Sequence, residues 1–366
     1  MNIALVVPGG VDRSGERRVI PVLLWLIARL ARAHAVRVFA LRQERQPGQW
    51  QLQGATIHNV GWPFSVPRAI AAIRREHSRK PFDLVHIFWG GDCALAGVTA
   101  ARSLGIPALV HLAGGELAAL TDIGYGGRLH WYRRVADGWP LRNADIVTAA
   151  SAPIVEQAAA HGFDARRVPL GVDLAAWPQA EPRPRAHGER ARLIHVASLN
   201  RVKDQPTLLR AMQRLMQAGV DFHLDIAGDD TLGGAMQKLA AQLKLGPHVT
   251  FHGFRTQREL RPLVTQAHIN LVSSRHEAGP LVLLEAAVAG VPTVGTAVGH
   301  VCEWAADAAV CVPVGDDAAF ALGVRRLLVD DTERVRLAIA AQRLATDEDA
   351  DFTARCFEEL YGKLVS

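Results

Sequence analysis

The chain has 366 residues, of which 49% are hydrophobic and 21% charged, with a mean hydropathy of +0.08. That length can bury two cores, and no uninterrupted apolar run of about 20 residues marks a transmembrane helix. The net charge of +5 is uneven: residues 1–190 carry 23 Lys+Arg against 15 Asp+Glu, and the remainder 18 against 21.

A basic first half suits an acidic partner, such as anionic lipid headgroups or a phosphorylated acceptor; equally, it is what arginines on solvated faces would give. No compact basic-aromatic module points to nucleic acid. The four cysteines, Cys93, Cys302, Cys311 and Cys356, are scattered without a CxxC, so neither a zinc site nor a disulfide framework is indicated. The opening MNIALVVPGG has no basic n-region and no cleavage site. A cytoplasmic protein is expected, with peripheral docking on the inner membrane face as the further option.

Strands and helices alternate from the start. Ile3–Pro8 is a predicted strand and Gly9–Gly15 a loop. Val19–Ala33 is an apolar helix, and Ala35–Leu41 and Phe82–Phe88 are strands. Ala94–Leu104 follows as a helix, Pro107–Leu112 and Ala144–Ala149 as strands, and Ala152–His161 as a helix. Such alternation means a parallel, doubly wound sheet. Residues 1–180 therefore form one domain. Residues 181–190 are rich in proline and charge and read as a linker.

The alternation then restarts across residues 191–346. Predicted strands are Ala191–Ala197, Phe222–Ala227, Val249–Phe251, His268–Ser273 and Val291–Gly295. Helices are Gln205–Ala218, Gly233–Leu243, a segment from about Arg258 to Gln266, Ala318–Val329 and Thr332–Thr346. Residues 347–366 form a last helix, expected to cross back to the first domain. The fold class is α/β, two doubly wound Rossmann-like domains facing a central cleft.

Ser274 to Glu303 reads SRHEAGPLVLLEAAVAGVPTVGTAVGHVCE. Glu277 and Glu285 stand eight positions apart around a Gly-Pro loop and an apolar helix, between two strands. This unit places a helix N-terminus at the carboxyl edge of a parallel sheet, where free N–H groups and the helix dipole favour anions. Upstream, HVASLNRVKDQPTLLRAM carries Arg201 and Lys203 between a strand and a helix, where cations can neutralise a diphosphate. LDIAGDD and VTFHGF are strands ending in glycine. Asp229 and Asp230 read either as turn residues or as ligand contacts.

These elements, in this order, resemble family 4 type retaining glycosyltransferases with the GT-B fold. The resemblance spans the chain and is strongest from 191 to 305. It implies a nucleotide-sugar donor, an acceptor that is a glycan, a lipid-linked or a small molecule, and no metal or other cofactor. Lys203, Arg201 and Glu277 would carry the chemistry: the two cations meet the leaving diphosphate and Glu277 contacts the donor sugar. Glu285 would accept the ribose hydroxyls. Backbone at Gly279, Leu281 and Gly10 would approach the diphosphate, and Gly253 and Phe254 the base. Pro280 has no N–H to offer.

Two departures stand out. Ser198 occupies a position where many relatives have arginine. In HLAGGEL, Ala113, Gly114, Gly115 and Glu116 align with His-Gly-x-Asp, so the usual histidine on the acceptor or sugar side is missing. His111, two residues upstream, either compensates or is a packed histidine. The departures motivate a rival expectation: a sugar-nucleotide or glycan-binding protein of the same fold with little or no catalysis. A dinucleotide oxidoreductase is excluded, because VVPGGVDRSG is not GxGxxG. Gly127–Arg142, with Trp131, Tyr132 and Trp139 among arginines, reads either as a membrane- or acceptor-docking segment or as a helix packing its aromatics.

Overall fold

The computed structural model describes residues 1–129, 138–186 and 188–365. The chain divides into two compact units, Met1–Gly171 with Glu348–Ser366, and Val172–Asp347. The first unit holds strands β1 (Asn2–Val7), β2 (Ala35–Ala40), β3 (Gly48–Leu52), β4 (Ala55–Asn59), β5 (Leu84–Phe88), β6 (Ala108–Leu112), β7 (Ile146–Ala149) and β8 (Arg166–Arg167). They form one sheet in the order β3-β4-β2-β1-β5-β6-β7-β8. All pairs are parallel except β3–β4. β5 and β6 are buried along their whole length, as expected where helices cover both faces.

The hairpin β3–β4 and the helix Ser65–Arg79 were not anticipated. The hairpin turns on Gln53 and Gly54, both at positive φ (50° and 79°). Two left-handed residues make the tight turn that matches strand twist. The usual Asn-Gly or Asp-Gly signal is absent, and Gln-Gly is a weak substitute. β3 is half exposed and largely polar, so alternation does not reveal it.

The second unit holds β9 (Ala191–Val196), β10 (Phe222–Ala227), β11 (Val249–Gly253), β12 (Ile269–Val272), β13 (Thr293–Thr296) and β14 (Ala309–Val312). They form a fully parallel sheet in the order β11-β10-β9-β12-β13-β14. This is the doubly wound arrangement with a reversal between β9 and β12.

Residues 181–190 are not a free linker. Ala180 N–H donates to Val288 O at 3.0 Å, and Gln342 Nε2 donates to Ala180 O at 2.6 Å. Arg334, 2% exposed, donates to Arg183 O at 2.7 Å, and Arg185 donates to Leu328 O at 2.8 Å. Side chains of the final helices of this unit satisfy the proline-rich backbone and hold it down. The boundary accordingly falls at Gly171/Val172 rather than near 180.

The helix Ala350–Val365 belongs to the first unit. Ala354, Phe357, Leu360 and Tyr361 enter the core of that unit. Arg29, almost buried, pairs with Asp351 at 2.7 Å, and Arg167 grips Glu348 with two bonds of 2.6 Å. Phe357 and Tyr361 cover His86 and His111, neighbours on one face of β5 and β6. Tyr361 Oη lies 2.5 Å from His86 Nδ1.

Both histidines are fully buried. Burial holds His111 down at about 3, and burial together with His111 holds His86 well below its ordinary 6.5. The unfolded chain therefore binds more protons than the folded chain once pH drops below 6.5. Stability is lost from there downward, by up to about 1.4 kcal/mol per pH unit for each ring. In urea denaturation between about pH 7 and pH 4, His86→Phe/His111→Phe should show a shallower acid slope than wild type. An unchanged slope would refute the assignment.

Candidate active site

The reversal in the second sheet brings the carboxyl ends of β9 and β12 side by side, and the loops that follow them meet. Arg275 N–H donates to Val202 O at 2.7 Å, and Ser273 Oγ donates to Lys203 O at 2.7 Å. Lys203 Nζ forms an ion pair with Glu277 Oε1. Ser274 Oγ donates to the same oxygen at 2.6 Å, and Thr296 Oγ1 donates to Ser274 O. The ammonium and carboxylate are 26% and 14% exposed, so both are poorly solvated but reachable.

The Lys203 turn is locally built. Asn200 accepts from Lys203 N at 3.2 Å, and Asp204, at φ 46°, caps the helix Gln205–Gln217 by accepting from Thr207 N at 3.4 Å, with a further bond from Thr207 Oγ1 at 2.7 Å. Arg201 is exposed on this turn. The Ser198 carbonyl accepts from Gln205 Nε2 at 3.1 Å, and Gln205 lies 3.2 Å from the buried His195.

The helix Leu281–Val288 starts after Pro280 with no side-chain cap, and Leu281 is partly exposed. Its first N–H groups therefore have no side-chain acceptor at the cap, although that of Leu283 donates to Pro280 O at 3.1 Å. Gly279 runs against His300: a Cβ there would lie 2.8 Å from the imidazole Cε1. Glu285, one turn into the helix, is only 2% exposed. Burial pushes its carboxyl up to about 7, opposed by a hydrogen bond from Gln257. Gln257 is itself held by the indole N–H of Trp177. Glu285 Oε1 has no hydrogen-bond partner among the described residues. A buried carboxylate oxygen left open costs free energy and marks a place for a donor to arrive. Trp177 and Gln257 escaped sequence reading, because nothing in an isolated helix or turn pattern says which residue will support a distant carboxylate.

The loops after β10 and β11 frame this edge. Gly228 N–H donates to Gly253 O at 2.9 Å, and Leu199 N–H donates to Asp229 O at 2.7 Å. Asp230 is a turn residue: its carboxylate accepts from Leu232 N at 2.8 Å and Gly234 N at 2.7 Å. Gly253 sits at φ 65° and Phe254 is 36% exposed.

In the first unit, the loops after β1 and β5 also lie side by side. A cavity of about 310 Å³ opens there, lined among others by Pro8, Leu41, Trp89 and Cys93, with the Arg42–Asp92 ion pair at it. Trp89 adopts φ 67°, a strained conformation for a bulky residue. Gly10, at φ 80°, leaves no room for a Cβ against Ile20. Glu116 turns inward: its carboxylate accepts from Gly114 N at 2.8 Å, Ala113 N at 3.2 Å and Gly90 N at 3.3 Å, and burial raises its pKa. Gly114 fits against Trp89 and Gly115 against Tyr125. His111 is fully buried, with Nδ1 2.9 Å from Thr148 Oγ1 and its ring between Phe88 and Phe357. It is a packed histidine and reaches no ligand edge. Trp131 and Tyr132 of the basic-aromatic segment lie outside the described residues.

Fold and site define a two-domain α/β protein of the GT-B type. Residues 19–171 match the model of the glycosyl transferase 4-like domain, and residues 179–344 that of the glycosyl transferases group 1. The chain belongs to the family 4 type glycosyltransferases. It is 30% identical to glycogen synthase of Mycobacterium tuberculosis over 64% of its own length and 58% of that relative's. It is 28% identical to D-inositol 3-phosphate glycosyltransferase of Arthrobacter, over 80% of this chain and 76% of that one. Among solved structures, sucrose-phosphate synthase from Thermosynechococcus elongatus superposes with a TM-score of 0.83, at 18% identity, over 100% of this chain and 99% of that one. Anabaena HepE in complex with UDP-glucose gives 0.76 at 17% identity, over the whole of both chains.

Gly228 tests how tightly the edge is built. At φ 152° its added Cβ would fall 2.0 Å from Ala197 O. Gly228→Ala should destabilise the protein by about 3 kcal/mol or more in urea denaturation. Gly233→Ala, also at positive φ but with nothing within 4 Å, should cost only about 1 kcal/mol. Equal effects would contradict the close approach.

Proposed function

We propose that the protein transfers a sugar, with retention, from a nucleotide-diphosphate sugar to an acceptor hydroxyl, without a metal. The observation that carries this reading is the Lys203–Glu277 pair at the reversal point of the second sheet, on the loop that leads into the helix where Glu285 keeps one oxygen open. The family supports a nucleotide sugar as donor, and HepE, solved with UDP-glucose, makes UDP-sugars the first to try.

In this reading the donor exchanges the partners of two charges. Its diphosphate takes Glu277's place on Lys203, with the helix start at Leu281 and the exposed Arg201 adding positive potential. The released Glu277 carboxylate accepts hydrogen bonds from the donor sugar. The ribose diol donates to Glu285. As the glycosidic bond breaks, negative charge grows on the leaving diphosphate, and Lys203 stabilises it there more than in the ground state. The acceptor hydroxyl bonds to the anomeric carbon from the face the diphosphate leaves, and its proton passes to the departing phosphate oxygen. Acceptor binding belongs to the first unit, at the Trp89 cavity and the Ala113–Glu116 loop.

Lys203→Ala should lower turnover by about 10²-fold or more while the fold is kept, read as sugar release or transfer from a panel of UDP-, GDP- and ADP-sugars. Wild-type protein that binds no nucleotide sugar in calorimetry would sink the proposal. Binding without turnover across broad acceptor panels would favour the rival reading as a sugar-nucleotide-binding protein.

Glu285 gives a pH signature. Its carboxyl titrates near 7, and a diol donates best to the ionised form. Nucleotide-sugar affinity should therefore rise from about pH 6 to about pH 8, because binding draws the group to its charged state. The diphosphate diester of the donor has no titrating group in that range. Glu285→Gln should bind more weakly and with a flat pH profile. A wild-type profile that is already flat would remove Glu285 from the site.

A further inference from the structure

The loop from β4 to the helix Ser65–Arg79 carries Trp62, Pro63 and Phe64 at its tip. Phe64 is 72% exposed and Trp62 45%, and Phe64 is the most exposed phenylalanine or tryptophan among the described residues. The tip is firmly built. Trp62 N–H donates to Arg45 O at 3.1 Å, and Gly61, at φ 74°, passes so close to that carbonyl that a Cβ would lie 2.6 Å from it. Phe64 itself is left-handed, at φ 69°, which no aromatic residue prefers. Neither backbone preference nor burial within the chain accounts for two rings held out into water.

The helix that follows has the complementary property. Its buried face is Ala69, Ala72, Ile73 and Glu76. Glu76, the only acid in the helix, is buried, but its carboxylate reaches the edge of the outer face, where it pairs with Arg79 at 2.8 Å and lies 3.7 Å from Arg75, so it offsets part of the charge there. That face presents Arg68, Arg74, Arg75 and Arg79, followed by Lys80, all exposed. Arg45 adds a further cation, stacked over the Trp62 ring at 5.5 Å. The strip is thus a run of cations about 18 Å long with an aromatic pair at one end.

We propose that this strip docks the protein on an anionic phospholipid bilayer. A bilayer surface offers both halves of the match. Its phosphates meet the arginines, and its headgroup–acyl boundary takes the edges of Trp62 and Phe64. A soluble polyphosphate would satisfy the arginines and leave the rings in water. Because β4 is parallel to β2 and β1, the tip lies on the carboxyl edge of the first sheet, the edge at which the Trp89 cavity opens. Presentation of a lipid-borne acceptor to that cavity rests on the transfer reading; the docking itself does not.

The test is sedimentation of the full chain with vesicles of phosphatidylcholine alone or mixed with phosphatidylglycerol, at low and high salt. Wild type should partition to the anionic vesicles only, and salt should release it. Trp62→Ser/Phe64→Ser and, separately, Arg68→Glu/Arg74→Glu should each lower the partition by about tenfold or more, whereas Phe64→Trp should keep it. All three should retain the wild-type thermal midpoint and nucleotide-sugar affinity, which separates this result from a failure of the donor site. Wild type that stays in solution with anionic vesicles would overturn the proposal. So would variants that sediment like wild type, or an aromatic variant that loses transfer to a water-soluble acceptor while its vesicle binding is unchanged.

Discussion

Two loops some seventy residues apart in sequence are stitched together at the carboxyl ends of β9 and β12, and the Lys203–Glu277 ion pair rests on that stitch. The stitch is backbone chemistry first. An amide of Arg275 and a hydroxyl of Ser273 satisfy the carbonyls of Val202 and Lys203, and only then do the two charges fall within reach. A half-buried ion pair adds little net stability once both groups have been desolvated. In the proposed reading it is a pre-formed pair of charges, each holding the other until a donor divides them. The open oxygen of Glu285 belongs to the same logic, since a folded core does not ordinarily leave a carboxylate without its donors.

The same economy appears in the first unit. Glu116 fills the concavity of N–H groups at Gly90, Ala113 and Gly114 that would otherwise invite an anion. The two sheets thus present their carboxyl edges differently. In the second unit an ion pair and a buried carboxylate with one unpartnered oxygen lie at the edge; in the first, the loop is closed by its own carboxylate and what remains open is the cavity at Trp89.

Several departures from sequence expectation share a cause. The segment 181–190 looked free because prolines and charges make no core pattern, yet Arg334 and Gln342, 150 residues downstream, supply the bonds that hold it. His111 looked like a stand-in for the missing histidine because it shares a strand face with Ala113, but Phe357 and Tyr361 of the last helix cover that face. The β3–β4 hairpin was hidden because its turn is Gln-Gly and its outer strand is polar. In each case the deciding group comes from another part of the chain.

The sequence by itself determined the two alternations of strand and helix, the restart after residue 190, and the order of motifs from His195 to Glu303. These depend on hydrophobic period and on glycine and proline at turns, which are local properties. It also pointed to Lys203, Glu277 and Glu285, through their places in the turn and helix motifs and the resemblance those motifs carry. Only the tertiary structure decided that Lys203 holds Glu277, that Glu285 is buried against Gln257 with one oxygen open, that His111 is core and that Phe64 is held in water. Pairing, burial and solvation are set by what arrives from distant parts of the chain, and no spacing along a sequence encodes them.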